Sequence, residues 1–332
     1  MPNTPQHNPA NNEHLNISTP GDADLRGLRW VAEVETEDVL TRDQMLPDAA
    51  PTSTWGEAWK QLRRRPMFWV ASLIIFFVVL LAAFPGLFTN LDPHAADLSK
   101  SLNGPEEGHI FGFTQQGYDV YARTIYGARA SVICGIATTL LVTMLGVVIG
   151  SIAGYRGGWV DSILSRITDT FFAIPLLLAA IVLMQVFTAR TIWSVVIVLA
   201  LFGWPQMARI VRSAVMSVKN NDYVTASRAL GLSRASILIK HVLPNCLAPI
   251  IVMATTSLGI YIVAEATLSY LGIGLPPTEV SWGNDISAAQ NSIRHAPSVL
   301  FYPAGFLAMT VLGFILLGDT LKDALDPKER TR

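Results

Sequence analysis

The stretch from Ala130 to Tyr155, ASVICGIATTLLVTMLGVVIGSIAGY, decides the fold because its 26 residues include no Asp, Glu, Lys or Arg. A bilayer core of about 30 Å requires roughly 20 apolar residues in a helix. Backbone polar groups in lipid must also pair within their own segment, which a helix achieves. The stretch therefore predicts a membrane-spanning α-helix.

Five further charge-free runs of comparable length lie on either side of this one. The six predicted spans are Met67–Leu91, Ala130–Tyr155, Thr170–Ala189, Thr191–Ala208, His241–Ala264 and His295–Gly318. Of the 332 residues only 15% are charged, whereas soluble domains average about 25%. The sequence predicts an all-α integral membrane protein with six transmembrane helices, the third and fourth forming a hairpin at Arg190.

Basic residues are spread unevenly over the connections between these spans. With the N-terminus placed inside, 16 Lys and Arg residues lie in the inner flanks and five in the outer flanks. Basic loops are retained on the cytoplasmic side during insertion. We expect both termini to be cytoplasmic and the chain to cross the inner cell membrane several times.

The two ends of the chain differ from the apolar middle. Residues 1–60 are polar and acidic, unlike an export signal, and are interpreted as a disordered cytoplasmic tail. The six-span domain is expected at residues 61–328, followed by a short tail at 329–332. A net charge of −1 gives no indication of nucleic-acid binding, and the spacing of Cys and His predicts no metal site.

The inner connection at residues 213–244 is basic and rich in alanine. Its pattern predicts a short helix capped by Asn221 or Asp222, then a left-handed Gly231. A second helix, capped by Ser233, is expected to run toward Pro244. Small side chains on the first helix let another protein approach its backbone, so this segment is suited to pass movement from a soluble partner to the spans.

This connection resembles the signature loop of importer permeases in the ATP-binding-cassette (ABC) superfamily. The family pattern is Glu-Ala-Ala, three residues, Gly, nine residues and a hydrophobic-Leu-Pro ending. Thr225-Ala226-Ser227, Gly231 and Leu243-Pro244 occupy those places, with Thr225 where the family commonly has Glu. Segments that resemble the C-type permease subunit of the dipeptide, oligopeptide and nickel branch are IYGAR at 125–129, GYRGGWVD at 154–161, AEATLSYLG at 264–272, SWGN at 281–284 and DALDP at 323–327.

The resemblance implies a type I importer permease bundle that carries peptides with energy from separate ATPase subunits. Implied partners are a second homologous permease subunit, two ABC ATPases, an external substrate-binding protein and the lipid bilayer. ATP is expected to bind to the ATPase partners, so this chain needs no cofactor. The implied ATPase-coupling residues are Asp222, Tyr223, Thr225, Ala226, Ser227, Ala229, Leu230, Gly231, His241 and Pro244.

Features inside the spans allow two interpretations each. Glu265 is an acid in an apolar stretch, so it is a candidate pathway or gating residue, or a structural hydrogen-bonding group. The stripe of Gly146, Gly150 and Gly154 indicates close helix packing, either within this chain or against a second permease. Pro175 and Pro205, in the third and fourth spans, are either hinges or ordinary prolines of the kind common in membrane helices.

Other classes of protein are disfavoured by what the sequence lacks. It contains no Walker-A phosphate loop, no paired-His zinc motif and no Gly-x-Ser-x-Gly elbow, so an enzyme is not expected. The alternative is a secondary transporter driven by an ion gradient, which usually places several carboxylates at mid-membrane. A membrane scaffold without transport activity is a third interpretation that composition alone leaves open.

Overall fold

The structure is a computed structural model that describes residues 54–325. Within that range the β pairing is limited to isolated bridges in the connection before α3. The prediction of an all-α fold is confirmed. The α-helices are α1 Thr54–Leu62, α2 Pro66–Ala83, α3 Val120–Arg156, α4 Gly158–Phe172, α5 Leu176–Met184, α6 Ile192–Val218, α7 Asp222–Ala229, α8 Arg234–Ile237, α9 Leu247–Tyr270, α10 Trp282–Ala289 and α11 Ser298–Leu325.

Five helical stretches of the described chain are long and apolar enough to cross a membrane: α2, α3, α6, α11 and the continuous stretch Arg234–Tyr270. Helices α4 and α5 meet at an angle of 76°, and they add a sixth span if the pair is counted as one broken span. The predicted helix Thr170–Ala189 is therefore wrong as a single element. Pro175 lies at the N-cap of α5, where its ring and missing N–H prevent continuation from α4.

Prolines also set other helix boundaries. The first predicted span, Met67–Leu91, is too long, since α2 ends at Ala83 and Pro85 begins a 3₁₀ turn. Helix α1 begins at Thr54, before the boundary expected at residue 61. The remainder of the predicted N-terminal tail and the tail at 329–332 lie outside the described residues.

The centre of the bundle is the contact between α3 and α6, the most extensive between any two helices of the described chain. The glycine stripe of α3 lies at this contact: a methyl group on Gly150 would overlap the carbonyl oxygen of Ala208, and one on Gly146 would overlap the Met207 side chain. A methyl group on Gly154 would lie 2.8 Å from the carbonyl oxygen of Arg212. The prediction that the stripe packs within this chain is confirmed.

Candidate functional site

The predicted coupling segment lies at the end of the bundle where α3 ends and α4 begins. Helix α7 is held by two buried residues, Val224 and Ser227. Val224 belongs to one apolar cluster with Val215 of α6 and Ile237 of α8. Ser227 Oγ donates to the Tyr223 carbonyl oxygen at 2.8 Å. Through Val224 the short helix is thus packed on α6 and α8, the elements before and after it.

The remaining residues of α7 and its C-cap Leu230 are exposed. Leu230 is 81% exposed and Tyr223 is 41% exposed. Thr225 Oγ1 donates to the Asn221 carbonyl oxygen of its own helix at 3.5 Å. The remaining exposed members of the predicted set on this helix are Asp222, Ala226 and Ala229. Together these residues form the exposed surface of α7 and its C-cap.

The turns around α7 follow local sequence signals, with one exception. Gly231 has φ +81°, the left-handed conformation predicted for it, and Ser233 caps α8 by accepting from the Ser236 N–H at 3.3 Å. Asn221 occupies the N-cap position of α7, but its side chain makes no capping bond. The prediction of a side-chain cap at Asn221 or Asp222 is therefore wrong.

The exit from the coupling segment is helical throughout. After α8 the chain forms a π-turn, Leu238–Val242, and a 3₁₀ turn, Leu243–Cys246, before α9. These turns accommodate Pro244, which has no N–H to donate. His241 is half-buried there, and its carbonyl oxygen accepts from Asn245 Nδ2 at 2.7 Å. His241 and Pro244 thus belong to the joint between α8 and α9, apart from the exposed face of α7.

An ion pair and a hydrogen bond that the sequence analysis did not predict brace the same end of the bundle. Arg212 of α6 donates to Asp161 of α4, with Nη2 2.7 Å from Oδ2. Lys219 Nζ donates to the carbonyl oxygen of Gly154, near the end of α3, at 2.6 Å. These contacts join residues that are 51 and 65 positions apart in the sequence. No local sequence pattern predicts contacts over such separations.

Glu265 lies in the interior of the protein, between α9 and α3, with no exposed area. Its Oε2 accepts from Ser131 Oγ and its Oε1 from Ser269 Oγ, both at 2.9 Å. Ser269 Oγ in turn accepts from the N–H of Leu275, at 3.1 Å. The carboxyl group therefore joins α3 to the turn that follows α9.

A buried ion pair near the N-terminus of α3 was also not predicted from the sequence. Arg123 of α3 lies 2.6 Å from Asp285 of α10, measured from Nη2 to Oδ1, and also donates to the Pro93 carbonyl oxygen at 3.3 Å. Trp282 of α10 is fully buried and donates through Nε1 to the Thr124 carbonyl oxygen at 2.9 Å. These bonds fix α10 and the connection before α3 to the N-terminal part of α3.

Two family descriptions match the chain. Residues 146–331 match "Binding-protein-dependent transport system inner membrane component" and residues 53–105 match "N-terminal TM domain of oligopeptide transport permease C". The first match contains every predicted coupling residue and Glu265. The second contains α1 and α2.

Curated relatives extend the match over most of the chain. The oligopeptide transport system permease protein OppC of Bacillus subtilis is 40% identical over 84% of this chain and 91% of its own length. The dipeptide transport system permease protein DppC of Alkalihalophilus pseudofirmus is 36% identical over the same shares. The glutathione transport system permease protein GsiD of Escherichia coli is 35% identical over 85% and 93%.

Among solved structures, a chain of the MetNI methionine ABC transporter in an inward-facing conformation aligns with a TM-score of 0.52 at 19% identity, over 61% of this chain and 96% of that one. At this identity the likeness shows the fold alone. The comparisons favour a non-enzymatic permease over the secondary transporter and confirm an inner-membrane, multi-pass protein that works with an ATPase and a substrate-binding protein. The chain belongs to the family of binding-protein-dependent transport system inner membrane components, as a permease of the OppC and DppC type.

Proposed function

We propose that this chain is one of two permease subunits of a peptide importer, paired with a second homologous permease and served by two ABC ATPases and an external substrate-binding protein. ATP binds to the ATPases, and this chain holds no cofactor. Di- and oligopeptides are the proposed cargo, which the transport names of the relatives support. The excess of Lys and Arg near the coupling segment supports cytoplasmic termini.

One observation carries the proposal: α7 presents exposed apolar residues while its other face is packed into the bundle. Leu230 is 81% exposed, whereas Val224 is fully buried against α6 and α8. An ATPase that binds Leu230 and Tyr223 therefore moves the inner ends of α6 and α9 together. We assign ATPase coupling to the exposed face of α7 and to its Gly231 turn, with His241 and Pro244 forming the joint that passes the movement into α9.

Glu265 has a structural role in this proposal. Each carboxyl oxygen of Glu265 accepts a hydrogen bond from a serine hydroxyl group, so the buried carboxyl group has partners on two helices. Through Ser269 it also holds the turn at Leu275. Its effect on gating is proposed to be indirect, through the position of that turn.

The test is co-purification of assembled complexes in mild detergent, followed by mass spectrometry of the bound subunits. We expect a second permease and Walker-A ATPases with the natural chain. Leu230→Asp, which places a charge on the exposed face of α7, should lose the ATPases and keep the second permease.

The matched control is Leu98→Asp in the connection between α2 and α3, because Leu98 is also highly exposed, at 75%. It should leave the ATPases bound. Isolation of the natural chain alone, or retention of the ATPases by Leu230→Asp, would contradict the proposed coupling surface.

A further inference from the structure

Three arginines surround a groove beside the coupling segment. One cavity of about 640 Å³ is lined by Arg156 and Arg234, and an adjoining one of about 460 Å³ by the same two residues and Arg228. Tyr155 lines both. We call these two adjoining cavities the basic groove.

The charge of the basic groove is uncompensated within the part of the chain that the structure describes. No Asp or Glu of residues 54–325 lines either cavity. Arg228 donates to the Lys219 carbonyl oxygen at 3.5 Å and lies 5.9 Å from the Tyr155 ring centroid. Among these residues Arg156 and Arg234 have neither an ion pair nor a hydrogen bond from their side chains. The groove therefore has three cationic groups available to an anion.

Two further groups in the groove suit an anionic ligand. The hydroxyl oxygen of Tyr155 is buried and has no hydrogen-bond partner among residues 54–325, although buried hydroxyl groups are usually paired. Gly157 and Gly158, both with positive φ, begin the 15-residue helix α4 without a side-chain cap. Their end of α4 lines the groove and carries unpaired N–H groups and partial positive charge.

The position of the groove indicates which anion it takes. The charge-free run of α3 ends at Tyr155, directly before Arg156, so Arg156 lies at the level of the lipid headgroups, and Arg228 and Arg234 share its cavities. Trp159, 75% exposed, and Ile152, also exposed, line the same cavity. Tryptophan is enriched at that level of a membrane. An anion with an apolar tail matches both halves of this lining.

We propose that the basic groove binds the headgroup of an anionic phospholipid, with its phosphate among Arg156, Arg228 and Arg234 and its acyl chains along Ile152 and Trp159. Basic pockets between membrane helices are known to hold such headgroups. Bound there, the lipid joins the end of α3 to α8 and to the start of α4. This inference does not depend on the cargo or on the identity of the second permease.

The test uses the full-length chain with whatever subunits co-purify, in nonionic detergent. Retained lipids are counted by native mass spectrometry while phosphatidylglycerol or phosphatidylcholine is added. We expect a preference for phosphatidylglycerol that weakens roughly fivefold for Arg156→Gln and for Arg234→Gln, and roughly 25-fold for the double variant. Arg156→Lys and Arg234→Lys should keep most of the preference.

Arg294→Gln is the matched control, since it removes an exposed arginine from the connection between α10 and α11; it should leave the preference unchanged. Thermal unfolding without added lipid shows whether each variant is folded. Equal binding of both lipids by the natural chain, or an equal loss in Arg294→Gln, would overturn the proposal. A double variant that binds phosphatidylglycerol normally but loses its ATPase would instead assign the groove to a protein partner.

Discussion

The carboxyl group of Asp285 lies 2.6 Å from the guanidinium of Arg123, and its second oxygen, Oδ2, is buried without a partner among the described residues. Both side chains are at most 10% exposed. Burial raises the pKa of Asp285 above its usual value of 3.8, and Arg123 opposes that rise. Arg123 therefore offsets part of the cost of burying a charge on Asp285.

Removing Arg123 should destabilise the protein because it leaves a buried carboxylate without its counter-ion. We expect Arg123→Gln to lower the free energy of unfolding by about 3–5 kcal/mol. Denaturant-induced unfolding in mixed micelles measures the change. Adding Asp285→Asn to Arg123→Gln should recover a large part of the loss, and two additive losses would contradict a direct pair.

The same variant should depend on pH in a defined direction. Without Arg123, burial alone acts on Asp285 and raises its pKa further. A group whose pKa is raised in the folded state stabilises the fold fully at pH values below its pKa in the unfolded chain, near 3.8. This stabilisation is lost as the pH rises toward the pKa of the folded state. Arg123→Gln should therefore become less stable, relative to the Arg123→Gln, Asp285→Asn double variant, as pH increases from 4. A flat difference would show that Asp285 does not ionise in this range.

Gly231 should be sensitive to backbone conformation and insensitive to side-chain size. Its φ of +81° strains a branched residue, while no atom lies within 4 Å of an added Cβ. We expect Gly231→Val to abolish most stimulation of ATP hydrolysis by the peptide-loaded binding protein in proteoliposomes. Gly231→Asn is the control, because Asn tolerates the left-handed region, and it should retain most of the stimulation. Equal activity of the two variants would separate this turn from coupling.

Glu265 offers a direct contrast between a structural group and a pathway residue. Ser131→Ala removes one of its two hydroxyl donors and should lower the free energy of unfolding by about 1–3 kcal/mol. Glu265→Gln keeps the shape and one acceptor oxygen, so it should retain peptide uptake. Loss of uptake in Glu265→Gln, with the stability unchanged, would favour a pathway role for the charge.

The glycine stripe predicts that replacing glycine by alanine destabilises the protein only where the glycine packs closely against another helix. Gly150→Ala places a methyl group against the Ala208 carbonyl oxygen and should lower the free energy of unfolding by about 1–3 kcal/mol. Gly305→Ala, on α11, has nothing within 4 Å of the new Cβ. Because alanine favours helix by roughly 1 kcal/mol over glycine, Gly305→Ala should leave stability unchanged or raise it. Unfolding midpoints of the two variants make the comparison.

The sequence predicts features that depend on neighbouring residues more reliably than those that depend on distant ones. The left-handed Gly231 and the Ser233 cap follow from local chemistry, and the spans follow from the absence of charge. Proline chemistry predicts a break near Pro175, but the 76° angle between α4 and α5 does not follow from the local sequence. Pairing of Arg123 with Asp285, 162 positions away, has no signal in a single sequence.

The helical stretch from Arg234 to Tyr270 contains a π-turn and a 3₁₀ turn before α9. Its π-turn and Pro244 concentrate any bending near α8, so the 24 residues of α9, about 36 Å at 1.5 Å each, shift as one piece. One end of this piece adjoins the ATPase-coupling segment, and the other leads to the turn held by Glu265. Equilibrium linkage is reciprocal. If closure of the ATPases changes the affinity for the external binding protein by some factor, docking of that protein changes the equilibrium constant for closure by the same factor.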